Sequence, residues 1–438
     1  MAKKHKANQH PKTESTFDFS TLLTYCSEEE KEKFRQGLKE KSVSSLLWNS
    51  RHFPLNALLD SFPSLRRDSF DELCFYFDKD EDRLGKSLEH FAGGFYIMDH
   101  SSMVISKYIA PLLKKEFLSI DLCAAPGGKS IALDMRREDG LYLCNDISFE
   151  RANEIVKNAT RLHLDNILTL SLDPMRLELE EIFDLVILDA PCSGSGMLRK
   201  EKKMALDFSL EKVERLLPIQ ENLLEKAYEL ACKDGYIVYS TCAFSTQEDE
   251  EQIQKFLTKH SDIEILPIEK EEKMIEGVNH LGYHLIPGIY EGEGIYFILM
   301  KKTGGSKTNV EEVKYKKASL VENKKVITYK NKDYIVPRFY DAFSSLPFLS
   351  PGIKIYDDSP YPKCDFDHGY CKVATSLPLL SLSRSDALSY ACGNEIKVEG
   401  KDDGLYIVSY EGLRLGLGKK VQNKLKNYLP KGLKGYYC

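Results

Sequence analysis

Asp121-Leu122-Cys123-Ala124-Ala125-Pro126-Gly127-Gly128-Lys129-Ser130 continues a short strand-like run, 119–123, and opens a helical pattern. A glycine-rich turn between the carboxyl end of a strand and a helix is where open α/β sheets hold cofactors. Glycine brings backbone close to a ligand because no side chain intervenes. Two nucleotide readings fail on the residues themselves. A P-loop requires glycine where Cys123 stands, and the dinucleotide pattern Gly-x-Gly-x-x-Gly is absent. What is left is a small-residue loop suited to the amino-acid part of S-adenosylmethionine, or a structural glycine turn.

Outward from this loop the chain alternates strand and helix. Residues 141–146 read as a strand ending in Asp146, placed to hold ribose hydroxyls. Residues 148–162 read as a helix with Ser148 as N-cap, and 167–172 and 183–188 as strands. The run 183–188 is nearly all apolar, as expected of a strand covered on both faces. Helix 216–232, strand 236–240, helix 248–260 and strand 294–300 complete the series. Such alternation predicts an α/β fold with a doubly wound, mostly parallel sheet. Residues 17–97 carry helical patterning, such as 28–41, with turns near Pro54 and Pro63. Beyond a lysine-rich linker the pattern becomes short strands. It ends in one amphipathic helix, with Val421, Leu425 and Leu429 on one face and Lys420, Lys424 and Lys426 on the other.

The 438 residues, 42% of them hydrophobic, suffice for two or three domains and exclude wholesale disorder or a disulfide-stapled miniprotein. No apolar run reaches the roughly 20 residues a bilayer span needs. The basic start, residues 1–16, is expected to be disordered and has no apolar core of a signal peptide. With eleven mostly isolated cysteines, this points to a reducing, cytoplasmic location. The net charge of −6 hides an asymmetry. Residues 301–438 hold 24 Lys+Arg against 15 Asp+Glu, which leaves 37 against 52 for residues 1–300. An acidic body with a basic appendage is compatible with a polyanionic partner, or with a merely solvated face.

Two cysteines emerge at strand ends on the edge that carries the glycine loop. One lies in Asp189-Ala190-Pro191-Cys192-Ser193-Gly194-Ser195-Gly196, the other in Ser240-Thr241-Cys242. A lone cysteine there is usually packing, but two beside an acid suggest chemistry. Cys364 and Cys371, with His368 between, lack the short paired spacing of structural zinc, so no metal is expected.

Residues 121–129, 189–196 and 240–242, in that order, resemble the RNA cytosine-C5 methyltransferases of the NOP2/Sun family. The resemblance implies a Rossmann-like S-adenosylmethionine-dependent core, with a small N-terminal α/β domain. It further implies that Cys123, Ala124, Ala125, Pro126, Gly127, Gly128, Lys129, Asp146, Asp173 and Asp189 hold the cofactor. Cys242 falls on the family's nucleophile, Cys192 on the cysteine that resolves the covalent adduct, and Asp189 also on the group that holds the base. Residues 412–419 and 426–433 resemble the PUA-like C-terminal domain of the bacterial 16S ribosomal RNA methyltransferase F group. That places RNA contacts at Lys419, Lys420, Lys424, Lys426 and Lys431, with a further one at Lys200. The expected domains are a tail (1–16), an N-terminal RNA-binding-type domain (17–97), the methyltransferase domain (98–302), a linker (303–320) and a PUA-like domain (321–438). The expected partner is ribosomal RNA or the small subunit, met by a monomer. The same chemistry on transfer RNA, or a non-catalytic RNA-binding or assembly role, stays open. Three positions depart from the family pattern: Leu47 for arginine, Asp249 for asparagine and Leu417 for tryptophan.

Overall fold

The computed structural model describes residues 17–199, 208–306, 319–321, 324–357, 366–430 and 433–434. Near the start, α1 (Glu28–Gly37) is nucleated by a reciprocal capping box between Ser27 and Glu30. Within residues 17–97, where helical patterning stands out, residues 44–97 also build a four-stranded antiparallel sheet with helices between its strands, in keeping with a small α/β domain. Its strands are β1 (Ser44–Trp48), β2 (Arg66–Arg67), β3 (Cys74–Phe77) and β4 (Phe95–Ile97), in the order β2-β3-β1-β4. Strands of two to five residues are too short for alternation to stand out against the helices between them.

The central sheet follows the alternation seen in the sequence. After α2 (His100–Ile109) come β5 (Leu118–Asp121), α3 (Gly128–Asp134), β6 (Leu141–Asn145), α4 (Phe149–Leu162), β7 (Ile167–Leu170) and β8 (Phe183–Asp189). Then follow α5 (Leu210–Leu230), β9 (Ala231–Thr241), α6 (Glu250–Lys259), β10 (Ile263–Ile265), β11 (Ile275–Glu276), β12 (Tyr283–Leu285) and β13 (Ile295–Lys302). The strand order is β11-β12-β13-β9-β8-β5-β6-β7, with β10 also on β13. Strands β5 to β9 are parallel, whereas β13 runs antiparallel to β9 and closes the parallel array. Helix α4 shows how sequence dictates packing. Ser148 caps it, and Ala152, Ile155, Ala159 and Leu162 recur on the buried stripe. The chain crosses from one side of β5 to the other between β7 and β8, so a crevice opens at the carboxyl ends of the middle strands.

The C-terminal third holds two sheets. Strands β14 (Ser319–Val321), β15 (Lys324–Tyr329), β16 (Lys332–Ile335) and β17 (Ile353–Asp357) form one. Its Tyr334, Val336, Phe343 and Phe348 share an apolar core with β8 and β9. The other comprises β18 (Leu379–Ser381), β19 (Ile396–Lys397), β20 (Gly404–Tyr410), β21 (Leu413–Val421) and β22 (Lys424–Asn427), with α7 (Arg384–Ala391) packed beside it. The amphipathic helix expected near residue 421 is therefore the hairpin β21–β22. Along it Lys419 is exposed, Lys420 buried, Val421 exposed, Lys424 exposed, Leu425 buried and Lys426 exposed. That is the two-residue period of a strand, and the four-residue spacing of 421, 425 and 429 imitated a helix. The basic segment is no free appendage either. Tyr390, Leu413, Leu415 and Leu425 share one core with Leu46, Phe75, Phe91 and Phe95 of the N-terminal sheet. Arg384 also pairs at 3.1 Å with the fully buried Glu89. Among the described residues no helix is long and apolar enough to cross a membrane.

Candidate active site

Strand register brings the site together. Strands β8 and β9 pair so that Asp189 lies opposite Ser240, which places Cys192 and Cys242 a few residues beyond the same sheet edge. Their sulfurs lie 2.9 Å apart, and the Cys242 amide donates to Cys192 Sγ at 3.2 Å. The hydrogen bond with Cys242, joined by burial, holds the Cys192 thiol well above its usual range.

The loop bearing Cys192 is held from behind. Fully buried Glu248 accepts from Ser193 N–H at 2.7 Å, from Ser193 Oγ at 2.6 Å and from Gln220 Nε2 at 3.1 Å. Gln220 also donates to the Pro191 carbonyl at 3.0 Å. Ser195 Oγ accepts from Phe244 N–H, and Gly196 N–H donates to the Cys242 carbonyl at 2.8 Å. A Cβ on Gly196 would stand 2.5 Å from the Gly294 carbonyl and 2.9 Å from that of Cys242. Only glycine allows the two cysteine loops to approach this closely.

Asp189 joins the thiol pair to the glycine loop. Lys129 Nζ lies 2.6 Å from its Oδ2, and Ser240 Oγ donates to its Oδ1 at 2.8 Å. Beneath it, Asp121 is fully enclosed and accepts from Ser130 Oγ at 2.9 Å. Burial, reinforced by the Asp189 charge, pushes its carboxyl up to about 7. In the turn itself Gly127 has φ 105°, a left-handed conformation that side chains resist. Asp146 is buried at the end of β6, where Ala125 N–H donates to it at 3.3 Å and Ser148 N–H at 3.0 Å.

These groups border one cavity of about 530 Å³, lined among others by Cys123, Asp146, Asp173, Asp189, Cys192 and Cys242. That size suits a nucleoside-sized ligand. Residues 124–129 stand behind this lining, and Lys129 reaches the cavity through its ion pair with Asp189. Sequence reasoning missed the apolar walls: Ile147, 67% exposed, and Met175, 49% exposed, both border the cavity. A large apolar side chain directly after the acid that ends β6 is the signal that could have found Ile147. The buttresses Glu248 and Gln220 were missed too, because their partners lie 28 to 55 residues away. Of the basic residues singled out, Lys200 and Lys431 fall outside the described residues. Lys419, Lys424 and Lys426 are exposed on β21 and β22, with Lys419 and Lys426 directly opposite each other. Lys420 is a correction. It points inward, is 3% exposed and pairs with Asp403 at 3.2 Å, so it presents no free charge. His368 is half-buried and Cys371 buried, and Cys364 lies outside the described residues.

Residues 109–301 match the family described as 16S rRNA methyltransferase RsmB/F, and residues 378–434 match the methyltransferase RsmF PUA domain. The chain is 26% identical to ribosomal RNA small subunit methyltransferase F of Vibrio vulnificus, over 96% of this chain and 94% of that one. It is 25% identical to the protein of that name from Shewanella amazonensis, over 81% and 82%. Among solved structures, NSun6 from Pyrococcus horikoshii with SFG has a TM-score of 0.57 at 17% identity, over 66% of this chain and 98% of that one. At that identity the likeness speaks for the fold.

Proposed function

We propose, from the similarity of the catalytic body to the RsmB/F methyltransferases and of the C-terminal sheet to the RsmF PUA domain, that this chain methylates C5 of a cytosine in 16S ribosomal RNA. The observation that carries the chemistry is the thiol pair, 2.9 Å apart at the mouth of a cavity that also contains Asp189. Cytosine C5 is a weak nucleophile. A thiolate adding to C6 makes the ring an enamine whose C5 can attack an electrophilic methyl group.

The cavity fits S-adenosylmethionine. The buried Asp146 carboxylate suits ribose hydroxyls, Ile147 and Met175 offer apolar surface to a purine, and the turn at Gly127 leaves room for the amino-acid end. When bound, the cofactor supplies an electrophilic methyl group on sulfonium sulfur. Cys242 adds to C6. Asp189, fixed by Lys129 and Ser240, accepts from the N4 amine and steadies the base. After transfer, C5 carries both a methyl group and a proton. Cys192, its own thiol proton first given up to solvent, takes that proton, the C5=C6 double bond re-forms, and Cys242 leaves as thiolate. The raised range of the Cys192 thiol makes its thiolate a strong base for this step. The base must leave its stack to reach these groups, so the substrate nucleotide is unpaired or flipped. Exposed Lys419, Lys424 and Lys426 supply phosphate contacts on the C-terminal sheet.

The test uses a cytosine-containing 16S RNA fragment, labelled S-adenosylmethionine and denaturing electrophoresis. Cys242→Ala is expected to abolish both methylation and the protein–RNA adduct, and Cys192→Ala to accumulate the adduct. Adduct formation by Cys242→Ala overturns the assignment.

A further inference from the structure

Behind the strand end that bears Cys242 lies a second polar cluster. Asp249 and Glu250 stand at the start of α6 and His284 lies in β12; one potential ligand atom of each is within 4.8 Å of the other two. They are 0%, 3% and 1% exposed. Each carboxylate has one oxygen tied and one free. Thr241 Oγ1 donates to Asp249 Oδ1 at 2.5 Å, and Val278 N–H donates to Glu250 Oε1 at 3.0 Å. His284 Nε2 lies 2.8 Å from that same Glu250 oxygen, and the Tyr25 ring stacks on the imidazole at 3.8 Å. Asp249 Oδ2, Glu250 Oε2, His284 Nδ1 and the Tyr25 hydroxyl are buried without a hydrogen-bond partner.

Among the described residues no lysine or arginine pairs with either carboxylate. Burial, with Glu250 and Glu248 adding to it, drives the Asp249 carboxyl well upward. We propose that Asp249, Glu250 and His284 form a binding site for one divalent cation of the Mn²⁺ or Zn²⁺ type. Two carboxylates balance the ion's charge, and a carboxylate–imidazole donor set suits these metals. Thr241 and Val278, which hold one oxygen of each carboxylate, act as the outer contacts that fix the two side chains. Thr241, which holds Asp249, is the neighbour of Cys242, so the ion cancels negative charge directly behind the thiol.

The probe is Mn²⁺, which prefers oxygen and imidazole to the nearby thiols. Full-length protein is stripped with chelator and titrated with MnCl₂, free Mn²⁺ being read by electron paramagnetic resonance. One equivalent is expected to bind. Asp249→Asn and His284→Gln should each weaken binding by about tenfold or more, the scale seen when ligand shells are damaged. The double variant Cys192→Ser/Cys242→Ser should bind as the wild type does. MnCl₂ should raise the melting temperature of the wild type and not that of Asp249→Asn, whose amide is close to isosteric. Absence of stoichiometric binding at about 1 mM Mn²⁺, well above ordinary metal-site affinities, overturns the site. Equal binding by Asp249→Asn overturns it as well. Neither readout depends on methyl transfer, so this proposal and the proposed function fail separately.

Discussion

Replacing Glu248 with alanine tests whether a residue outside the cavity sets the last step of the reaction. The carboxylate accepts three hydrogen bonds, two from Ser193 and one from Gln220, and among the described residues nothing else holds the Ser193 N–H. Hydrogen bonds to a charged group contribute about 1.5–3 kcal/mol each. Truncation removes both acceptor oxygens, and with them all three bonds, and leaves buried donors beside Cys192. If only one bond's worth of that energy goes into keeping Cys192 against Cys242, its loss slows the Cys192-dependent step about 10- to 100-fold. On the proposed mechanism, addition of Cys242 to C6 draws on β9, whose pairing with β8 is untouched. Glu248→Ala should therefore form adduct at near wild-type rate and release it slowly. The assay is a single-turnover time course, with adduct resolved on a denaturing gel and methyl transfer counted from labelled cofactor. Glu248→Gln keeps one acceptor and should lie between the two. If Glu248→Ala released product at the wild-type rate, or lost adduct formation and release equally, the positioning argument would be wrong.

Gly127→Ala introduces a Cβ 2.8 Å from Ile131 Cδ1 at φ 105°, a conformation that costs a side-chain residue roughly 1–2 kcal/mol. Calorimetry should show S-adenosylmethionine binding about tenfold weaker, and an unchanged affinity would refute the cradle. Asp121 has a folded-state pKa near 7, above its unfolded value, so its contribution to stability is full below about pH 4 and is lost as pH rises towards 7. Asp121→Asn should accordingly gain melting temperature over wild type progressively from pH 5 to pH 8; a constant difference would contradict the buried-acid reading. Lys419→Glu and Lys426→Glu should each flatten the salt dependence of RNA binding by about 0.7 in log–log slope or more. Lys420→Ala, whose charge is turned inward, should cost stability and leave the slope alone.

The central alternation was legible because each element is long enough to show its period. Strand 183–188, helix 148–162 and the glycine turn appear almost where patterning places them. What the sequence could not show is convergence. Nothing local says that Ser193 and Glu248, or Cys192 and Cys242, meet; that follows from the β8–β9 register. His284 looked unremarkable for the same reason, since its partners lie 34 residues upstream. The hairpin 413–427 was misread because lysines on alternate positions also fall at helical spacings. The N-terminal sheet was obscured by strands too short to carry a pattern.

The core shared by the two ends of the chain limits how RNA can be met. Tyr390, Leu415 and Leu425 from one end and Leu46, Phe75 and Phe95 from the other are buried in each other's company. Cutting the chain at residue 303 would strip cover from the N-terminal sheet, so a truncated protein would report a damaged fold and not a missing RNA contact. The lysines of β21 and β22 are consequently set at one distance from the thiol pair, like the jaws of a calliper. On the proposed function, an RNA that touches both has to present its phosphates and its open cytosine at that one spacing, and a shorter or longer fold of the same nucleotides would reach only one jaw.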